Sequence, residues 1–245
     1  MTDTEEKARR RAIYLLPNLF TTAALFCGFY AVVAAMHGYF EAAASAIFIA
    51  MIFDGFDGRI ARLIHCESEF GAQFDSLSDL VAFGVAPALV SLSWSLSTLG
   101  KVGWMAAFIF LACAALRLAR FNTQIGSVDK RYFVGLASPP AAALIAAMVW
   151  VCSEENVAPE DIAILGAIVV AGTGLLMVSN FKYYSFKNID IKGRIPFVAL
   201  LAIIFVCVVI FIDPARVLFT CALIYALSGP VLAIVAKRNK KETTG

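Results

Sequence analysis

Four aspartates at paired spacing are the residues of this sequence best suited to chemistry. Asp54 and Asp57 are three residues apart and Asp75 and Asp79 are four apart, with long hydrophobic sequence on both sides. On a helix, either spacing puts both side chains on one face, with Cβ atoms about 5–6 Å apart. Because like charges repel and a carboxylate is costly at membrane depth, this cluster must be neutralised by protons or by bound cations.

Divalent metal ions are the simplest way to neutralise these carboxylates. Oxygen ligands suit Mg²⁺ or Mn²⁺, whereas His65 and Cys66, in the turn between the two pairs, lack the paired spacing of a zinc site. Such ions commonly bridge to substrate phosphates and neutralise the charge that develops during displacement at phosphorus. The aspartates therefore predict a metal site for phosphate chemistry.

The residues between the aspartates fit a phosphate substrate. Gly58 and Ala61 keep one helical face shallow, and Gly71 leaves the backbone open near the start of the next helix. Arg59 and Arg62 offer guanidinium groups to phosphate oxygens. Two alternatives stay open: the small residues could serve helix packing in lipid, and the arginines could extend toward the membrane surface.

The composition is that of a membrane protein. The chain has 245 residues, of which 61% are hydrophobic and 16% charged, and its apolar runs of about twenty residues match the length of a spanning helix. A soluble globular class is excluded, and a net charge of +2 gives no indication of nucleic-acid binding. The first apolar run could be a signal peptide, but its length favours a retained span. The six cysteines occur singly, as small buried hydrophobic residues do.

Eight transmembrane helices are expected, in one all-α bundle. They are predicted near residues 15–36, 42–62, 72–97, 102–122, 136–153, 160–179, 195–212 and 216–236. Short connections between them indicate antiparallel neighbours and no separate soluble domain. We therefore expect an N-terminal cytoplasmic segment (1–14), a single transmembrane catalytic domain (15–236) and a cytoplasmic tail (237–245).

The basic residues predict the orientation of these helices. With the N-terminus inside, all but two of the 20 Lys and Arg residues, Lys101 and Arg216, lie on the inner side. This bias predicts a protein of the cell membrane with both termini in the cytoplasm. It also puts the four aspartates at the cytoplasmic ends of the second and third helices. Residues 2–14 could lie on the anionic inner leaflet or form a solvated tail.

The aspartate stretch resembles the signature of the CDP-alcohol phosphatidyltransferases, which is Asp, two residues, Asp-Gly, two, Ala-Arg, seven to nine, Gly, three, Asp, three, Asp. All eight positions are present: Asp54, Asp57, Gly58, Ala61, Arg62, Gly71, Asp75 and Asp79. The resemblance implies that family's fold, with a core of six helices over the first three quarters of the chain. It also implies a homodimer embedded in membrane lipid.

The resemblance assigns roles to the signature residues. Asp54, Asp57 and Asp75 would bind Mg²⁺ or Mn²⁺, as two ions, and Asp79 would be a further ligand and the general base. Four other residues would bind the cytidine diphosphate part of the substrate: Gly58, Ala61, Arg62 and Gly71.

Segments outside the signature are similar to the bacterial and archaeal members of the family that use serine. They are residues 17–35, 115–123 and 133–142, with Ala137 in place of a usual proline. This likeness implies transfer of the phosphatidyl group of CDP-diacylglycerol to L-serine, giving phosphatidylserine and CMP. In the first segment, Asn18 and Thr21 resemble positions that hold the nucleotide phosphates, although capping around Pro17 would also explain them.

Polar residues beside the signature are candidates for the acceptor site. They could hold an acceptor carboxylate or a lipid phosphate, or they could be ordinary cytoplasmic anchors. The candidates are Arg117, Arg120, Asn122, Lys130 and Arg131.

Two alternatives to serine transfer remain open at the level of sequence. The same chemistry could use glycerol 3-phosphate, an inositol phosphate or choline as the acceptor. A cation-coupled transporter would also carry intramembrane carboxylates, but we would expect them near the bilayer midplane, with broken helices and an inverted repeat.

Overall fold

The structure, a computed structural model, describes residues 3–63, 68–123, 132–184, 201 and 208–242. Its long elements are helices: α1 Asp3–Met36, α2 Phe40–Leu63, α3 Glu69–Asp79, α4 Ala86–Trp94, α5 Lys101–Thr123, α6 Ser138–Glu154, α7 Pro159–Val178 and α8 Pro214–Glu242. A π-helical segment, Leu80–Val85, joins α3 to α4, and a 3₁₀ turn, Leu96–Leu99, precedes α5. Two short strands, β1 Tyr132–Val134 and β2 Lys182–Tyr184, complete the described elements.

A multi-pass membrane protein is confirmed. Five stretches of the described chain are helical, long and apolar enough to cross a bilayer: Pro17–Met36, Glu69–Trp94, Lys101–Thr123, Pro159–Val178 and Pro214–Val235. Helix α6 is apolar but has 17 residues, and α2 carries Asp54 and Asp57 near its end. The predicted helix 195–212 falls largely outside the described residues, so the count of eight spans stays a prediction.

The first helix is longer than predicted. It begins at Asp3 rather than near residue 15 and continues unbroken through Pro17 to Met36. The residues before Leu15 are rich in Glu, Lys, Arg and Ala, all good helix formers, so the polar segment extends the helix that follows it. Residues 3–14 are therefore helical and continuous with the first predicted span.

The helix that follows the aspartates changes its winding at the π-helical segment. The Ala86 N–H donates to the Val81 carbonyl, one residue further back than in an α-helix. Pro87 explains this change, because it has no N–H for the Phe83 carbonyl and its ring crowds that group. The π segment starts immediately after Asp79, so the winding changes right beside the predicted site.

A pair of three-residue strands accompanies the helices of the all-α fold, which is confirmed. Strand β1 pairs with β2 in antiparallel register, with Phe133 opposite Tyr183. Next to β1, Gly135 has a φ of +82°, and a Cβ there would overlap the Met177 carbonyl. Its N–H donates to the Phe181 carbonyl at 2.8 Å. The strands thus tie the chain before α6 to the chain after α7.

Helix α6 is the centre of the bundle. All residues from 141 to 149 are buried, and α6 packs against α2, α4, α7 and α8. Its alanines let these neighbours approach closely, which is how helices associate in lipid. Large apolar side chains such as Phe29, Trp104, Phe108 and Ile168 point outward instead, as expected for a surface covered by lipid.

Two glycines on α7 allow a matched test of this packing. A Cβ at Gly174 would lie 2.8 Å from the Cα of Phe110 on α5, whereas a Cβ at Gly172 would meet nothing within 4 Å. Gly174→Ala should therefore force α5 and α7 apart and cost about 1–3 kcal/mol. We expect it to lower the thermal unfolding midpoint in detergent and Gly172→Ala to leave it unchanged or raise it. Equal midpoints for the two variants would contradict the packing described here.

Candidate active site

Three of the four aspartates converge at the ends of α2 and α3. One carboxylate oxygen from each of Asp54, Asp57 and Asp75 lies within 4.8 Å of the others, and Asp57 is only 5% exposed. Oxygens on opposite sides of a Mg²⁺ ion are about 4.2 Å apart, since each Mg–O distance is about 2.1 Å. Small side-chain movements would therefore let these oxygens share one ion, so the donor set fits a hard divalent cation.

Asp79 extends this cluster into the bundle. Its carboxyl group is hydrogen-bonded to that of Asp54 and lies within electrostatic range of Asp57 and Asp75. Two carboxyl groups at this separation need a shared proton or a cation between them. The structure thus brings together all four aspartates that the sequence singled out.

Thr21 connects three helices at the cluster. Its hydroxyl lies 2.8 Å from Asp57 Oδ2 and 3.2 Å from the Pro17 carbonyl, while its own carbonyl accepts a hydrogen bond of 3.0 Å from the Ser78 hydroxyl. Thr21, Asp57 and Ser78 are all buried. The structure therefore places Thr21 against a predicted metal ligand, where it orients the Asp57 carboxylate.

Asn18 and Gly71 lie next to each other at the edge of the cluster. Helix α3 begins at Glu69, and not near residue 72 as predicted from the sequence. Gly71 therefore lies in the first turn of the helix and does not precede it. The Gly71 N–H donates to the Ser68 hydroxyl at 3.0 Å, which caps the helix. A Cβ at Gly71 would lie 3.5 Å from Asn18 Oδ1. That separation is an ordinary van der Waals distance, so Asn18 lies directly beside the first turn of α3, and the tighter contact of such a Cβ would be with Ser68 Oγ, at 3.1 Å.

The remaining signature residues lie along the last turns of α2. Gly58 is exposed, and a Cβ at the neighbouring Gly55 would meet nothing within 4 Å, so this face is open. Ala61 and Arg62 belong to the same helix, but their side chains lie outside the described residues.

Arg117 is the candidate acceptor residue that reaches the aspartates. Its Nη1 donates to the Ser138 hydroxyl at 3.0 Å, and its guanidinium is within electrostatic range of Asp79. Its Nε is buried and has no hydrogen-bond partner within the described part of the chain. A partly buried cation therefore lies between the start of α6 and the predicted base.

The structure describes two of the other four acceptor candidates, Asn122 and Arg120. Asn122 donates from Nδ2 to the Ser76 hydroxyl at 3.1 Å, next to Asp75. Arg120 instead contacts exposed Asn180 at 3.5 Å. Lys130 and Arg131 lie outside the described residues.

Some residues at this site were not found from the sequence. Ser68 had a recognisable signal, because a serine before an acidic first turn is typical of a helix N-cap. Ser76 and Ser78 lie between Asp75 and Asp79 in the sequence, but the sequence does not show which of the two serines faces inward. Ser138 is far away along the chain, so only the folded structure reveals its contact with Arg117.

The fold and the site define a membrane-embedded protein whose carboxylate cluster fits a divalent cation. Residues 14–178 match the CDP-alcohol phosphatidyltransferase family, and the chain belongs to this family.

Its relatives point to one branch of the family. The CDP-diacylglycerol–serine O-phosphatidyltransferase of Helicobacter pylori (strain ATCC 700392 / 26695) is 32% identical over 234 residues, covering 93% of this chain and 97% of that protein. The Bacillus subtilis (strain 168) protein of the same name is 32% identical over 173 residues, covering 71% and 92%. The one from Methanocaldococcus jannaschii is 39% identical over 144 residues, covering 59% and 64%.

The contact between Thr21 and Asp57 gives a prediction about metal affinity. Thr21→Val removes the hydroxyl that orients the carboxylate, and losing a hydrogen-bond partner of a metal ligand typically weakens metal binding about 10–100-fold. We expect a loss of this size when Mn²⁺ binding to the purified protein is measured by electron paramagnetic resonance. Thr22→Val is the matched control, because the Thr22 hydroxyl is exposed and bonds only to Asn18 of its own helix in the described structure. Equal Mn²⁺ affinities for the two variants would refute the role of Thr21.

Proposed function

We propose that this protein transfers the phosphatidyl group of CDP-diacylglycerol to the hydroxyl of L-serine, giving phosphatidylserine and CMP. The observation that carries the proposal is the convergence of Asp54, Asp57 and Asp75 beside Asp79 and Arg117. The names of the relatives that align over most of the chain support serine as the acceptor.

The surface around the cluster suits a lipid substrate. Large apolar side chains on α2 and α3 are exposed on the helices that carry the aspartates, among them Phe56, Phe70 and Leu77. A substrate whose acyl chains stay in the bilayer would contact these side chains while its headgroup reaches the carboxylates. We infer that Asn18, Gly58, Ala61, Arg62 and Gly71 bind the cytidine diphosphate group.

Metal binding is assigned to the carboxylates. Asp54, Asp57 and Asp75 would hold Mg²⁺ or Mn²⁺, as two ions with Asp79 as a further ligand. Bound there, the ions would neutralise the charge that develops on the phosphate oxygens and on the departing CMP.

The residues around Asp79 suggest how the acceptor reacts. Asp79 takes the proton from the serine hydroxyl, whose oxygen attacks the β-phosphorus of CDP-diacylglycerol. The new P–O bond forms as the bond to CMP breaks, and CMP leaves with the electron pair. Arg117 would bind the serine carboxylate through its guanidinium, the usual partner for such a group. Of the other candidates, Asn122 on α5 donates to Ser76, the neighbour of Asp75, and Arg120, Lys130 and Arg131 would attract the anionic groups of the substrates.

The proposed location of the enzyme follows from its charges. We infer a single transmembrane catalytic domain (15–236) in the cell membrane, with residues 1–14, residues 237–245 and the active site on the cytoplasmic side. We also propose a homodimer, on the family resemblance alone.

Removing the proposed base tests the reaction. In detergent–lipid micelles with Mn²⁺, we expect the wild-type protein to release CMP from CDP-diacylglycerol when L-serine is added, and Asp79→Asn to lower the rate by about 10²–10⁴-fold because proton transfer is lost. Glu69→Gln is the matched control, since Glu69 is an exposed carboxylate on the same helix.

The acceptor is identified in the same assay with a panel of radiolabelled alcohols. Serine should give a labelled lipid, while glycerol 3-phosphate, inositol phosphate and choline should not. Labelling by another alcohol instead of serine would overturn the proposed acceptor, and no CMP release with any alcohol would overturn the reaction.

Metal removal provides a separate test. Treatment with EDTA should abolish CMP release, and adding back Mg²⁺ or Mn²⁺ should restore it, because the carboxylates alone repel the substrate phosphates. Activity that survives exhaustive chelation would contradict the assigned metal site.

A further inference from the structure

Ser138 is a buried serine at the start of a helix that it does not cap. It is the first residue of α6 and is only 1% exposed. A serine at a helix start usually accepts a hydrogen bond from a backbone N–H of the first turn, but the N-cap position of α6 is Ala137 and its side chain makes no capping bond. Pro139 and Pro140 come next, and neither has an N–H to be capped. The Ser138 hydroxyl is therefore available for a partner outside its own helix.

That partner is Arg117 on α5. The Arg117 Nη1 donates to the Ser138 hydroxyl at 3.0 Å, and the Nε of the same guanidinium is buried without a hydrogen-bond partner among the described residues. A hydrogen bond from a charged group is stronger than one between neutral groups. The bond to Ser138 therefore restrains the rotation of the guanidinium at the end of a long, flexible side chain.

The backbone that carries Ser138 is itself held on both sides. Before it, the Leu136 N–H donates to the Leu176 carbonyl of α7 at 3.0 Å, and the Leu136 side chain is fully buried. After it, the Ala141 N–H donates to the Ala137 carbonyl at 3.1 Å and begins the regular winding of α6. The Ser138 oxygen is therefore a fixed point against which the arginine is held.

Two contacts fix the register between α5 and the helix that carries Asp79. At one level, Asn122 Nδ2 donates to the Ser76 hydroxyl at 3.1 Å. At another, a Cβ at Gly84 would lie 3.4 Å from the Ala114 Cβ. The two contacts are eight residues apart on each helix, so the two helices run antiparallel and stay in step between them.

This register puts Arg117 at the level of the proposed base. Counting from either contact, Arg117 lies opposite Val81, which is two residues from Asp79 and about 3 Å away from it along the helix axis. The electrostatic interaction between the Arg117 guanidinium and the Asp79 carboxyl group agrees with this placement. The cation that Ser138 holds therefore lies close to the carboxylate proposed to accept the proton.

We propose that Ser138 is a positioning residue of the acceptor site, whose hydroxyl holds the Arg117 guanidinium so that it receives the carboxylate of the acceptor while Asp79 takes the proton from the acceptor hydroxyl. In serine only two carbon atoms, Cβ and Cα, separate the hydroxyl from the carboxylate, so the cation and the base must lie close together. An arginine without such support samples several rotamers, and ordering it on substrate binding costs affinity. This inference rests on the proposed function, in which Arg117 binds the carboxylate of serine.

The test separates binding of the acceptor from the rest of the reaction. In the purified full-length protein, Ser138→Ala removes the hydroxyl and keeps a good helix former at the start of α6. We expect it to raise the KM for serine about tenfold, because Arg117 must then be ordered each time serine binds. The kcat and the KM for CDP-diacylglycerol should stay unchanged. Ser91→Ala is the matched control, because Ser91 is equally buried but its hydroxyl bonds to the Ala88 carbonyl of its own helix, at 2.9 Å. This change should leave all three constants as they are.

A double-mutant cycle shows whether Ser138 acts through Arg117. Arg117→Gln removes the cation and should raise the KM for serine by itself, and adding Ser138→Ala should then have little further effect. An undiminished tenfold rise in the Arg117→Gln background would show that Ser138 acts independently of Arg117, which would overturn the proposal.

The outcomes distinguish this inference from the proposed function. If the wild-type protein makes no phosphatidylserine, the proposed function fails. If the wild-type protein is active and Ser138→Ala leaves the KM for serine unchanged, only the positioning role of Ser138 fails. A drop in kcat together with a lower thermal unfolding midpoint than that of Ser91→Ala would indicate a purely structural role and would also overturn it.

Discussion

The mutual repulsion of four carboxylates inside an apolar bundle is the constraint on which the rest of this structure depends. One carboxylate oxygen from each of Asp54, Asp57 and Asp75 lies within 4.8 Å of the others, and the Asp79 carboxyl group is hydrogen-bonded to that of Asp54. Such a cluster is unfavourable in a low dielectric unless cations or protons compensate it. The protein must therefore hold the carboxylates together at some cost in stability, as functional sites commonly do.

Close packing and buried hydroxyl groups hold the aspartates in this arrangement. The small residues of α6 let the surrounding helices approach one another, and Thr21 and Ser78 join α1 to the two helices that carry the carboxylates. Each of these hydroxyl groups satisfies a buried partner, which would be costly to leave unpaired. These hydroxyl groups therefore connect three helices at the place where the carboxylates repel one another.

Two arginines within or beside helix α8 have different roles. Near its start, exposed Arg216 pairs with Glu155 and with Asp213, and surface ion pairs of this kind contribute little to stability. Further along, Tyr225 lies in the surroundings of Arg117, a partly buried cation beside Asp79. The pairs of Arg216 therefore link the start of α8 to the end of α6 and add little to stability. Arg117 belongs to the proposed acceptor site.

The sequence by itself determined which residues form the core of the site and the class of protein. The reason is that the spacing of Asp54, Asp57, Asp75 and Asp79 is a local, helical property, and that long apolar runs have few structures available to them in lipid. Only the tertiary structure decided the contacts between segments: Ser138 with Arg117, Tyr225 with Tyr183, and the pairing of two three-residue strands. These contacts join residues far apart along the chain, and no local pattern specifies which of many buried serines or tyrosines will meet.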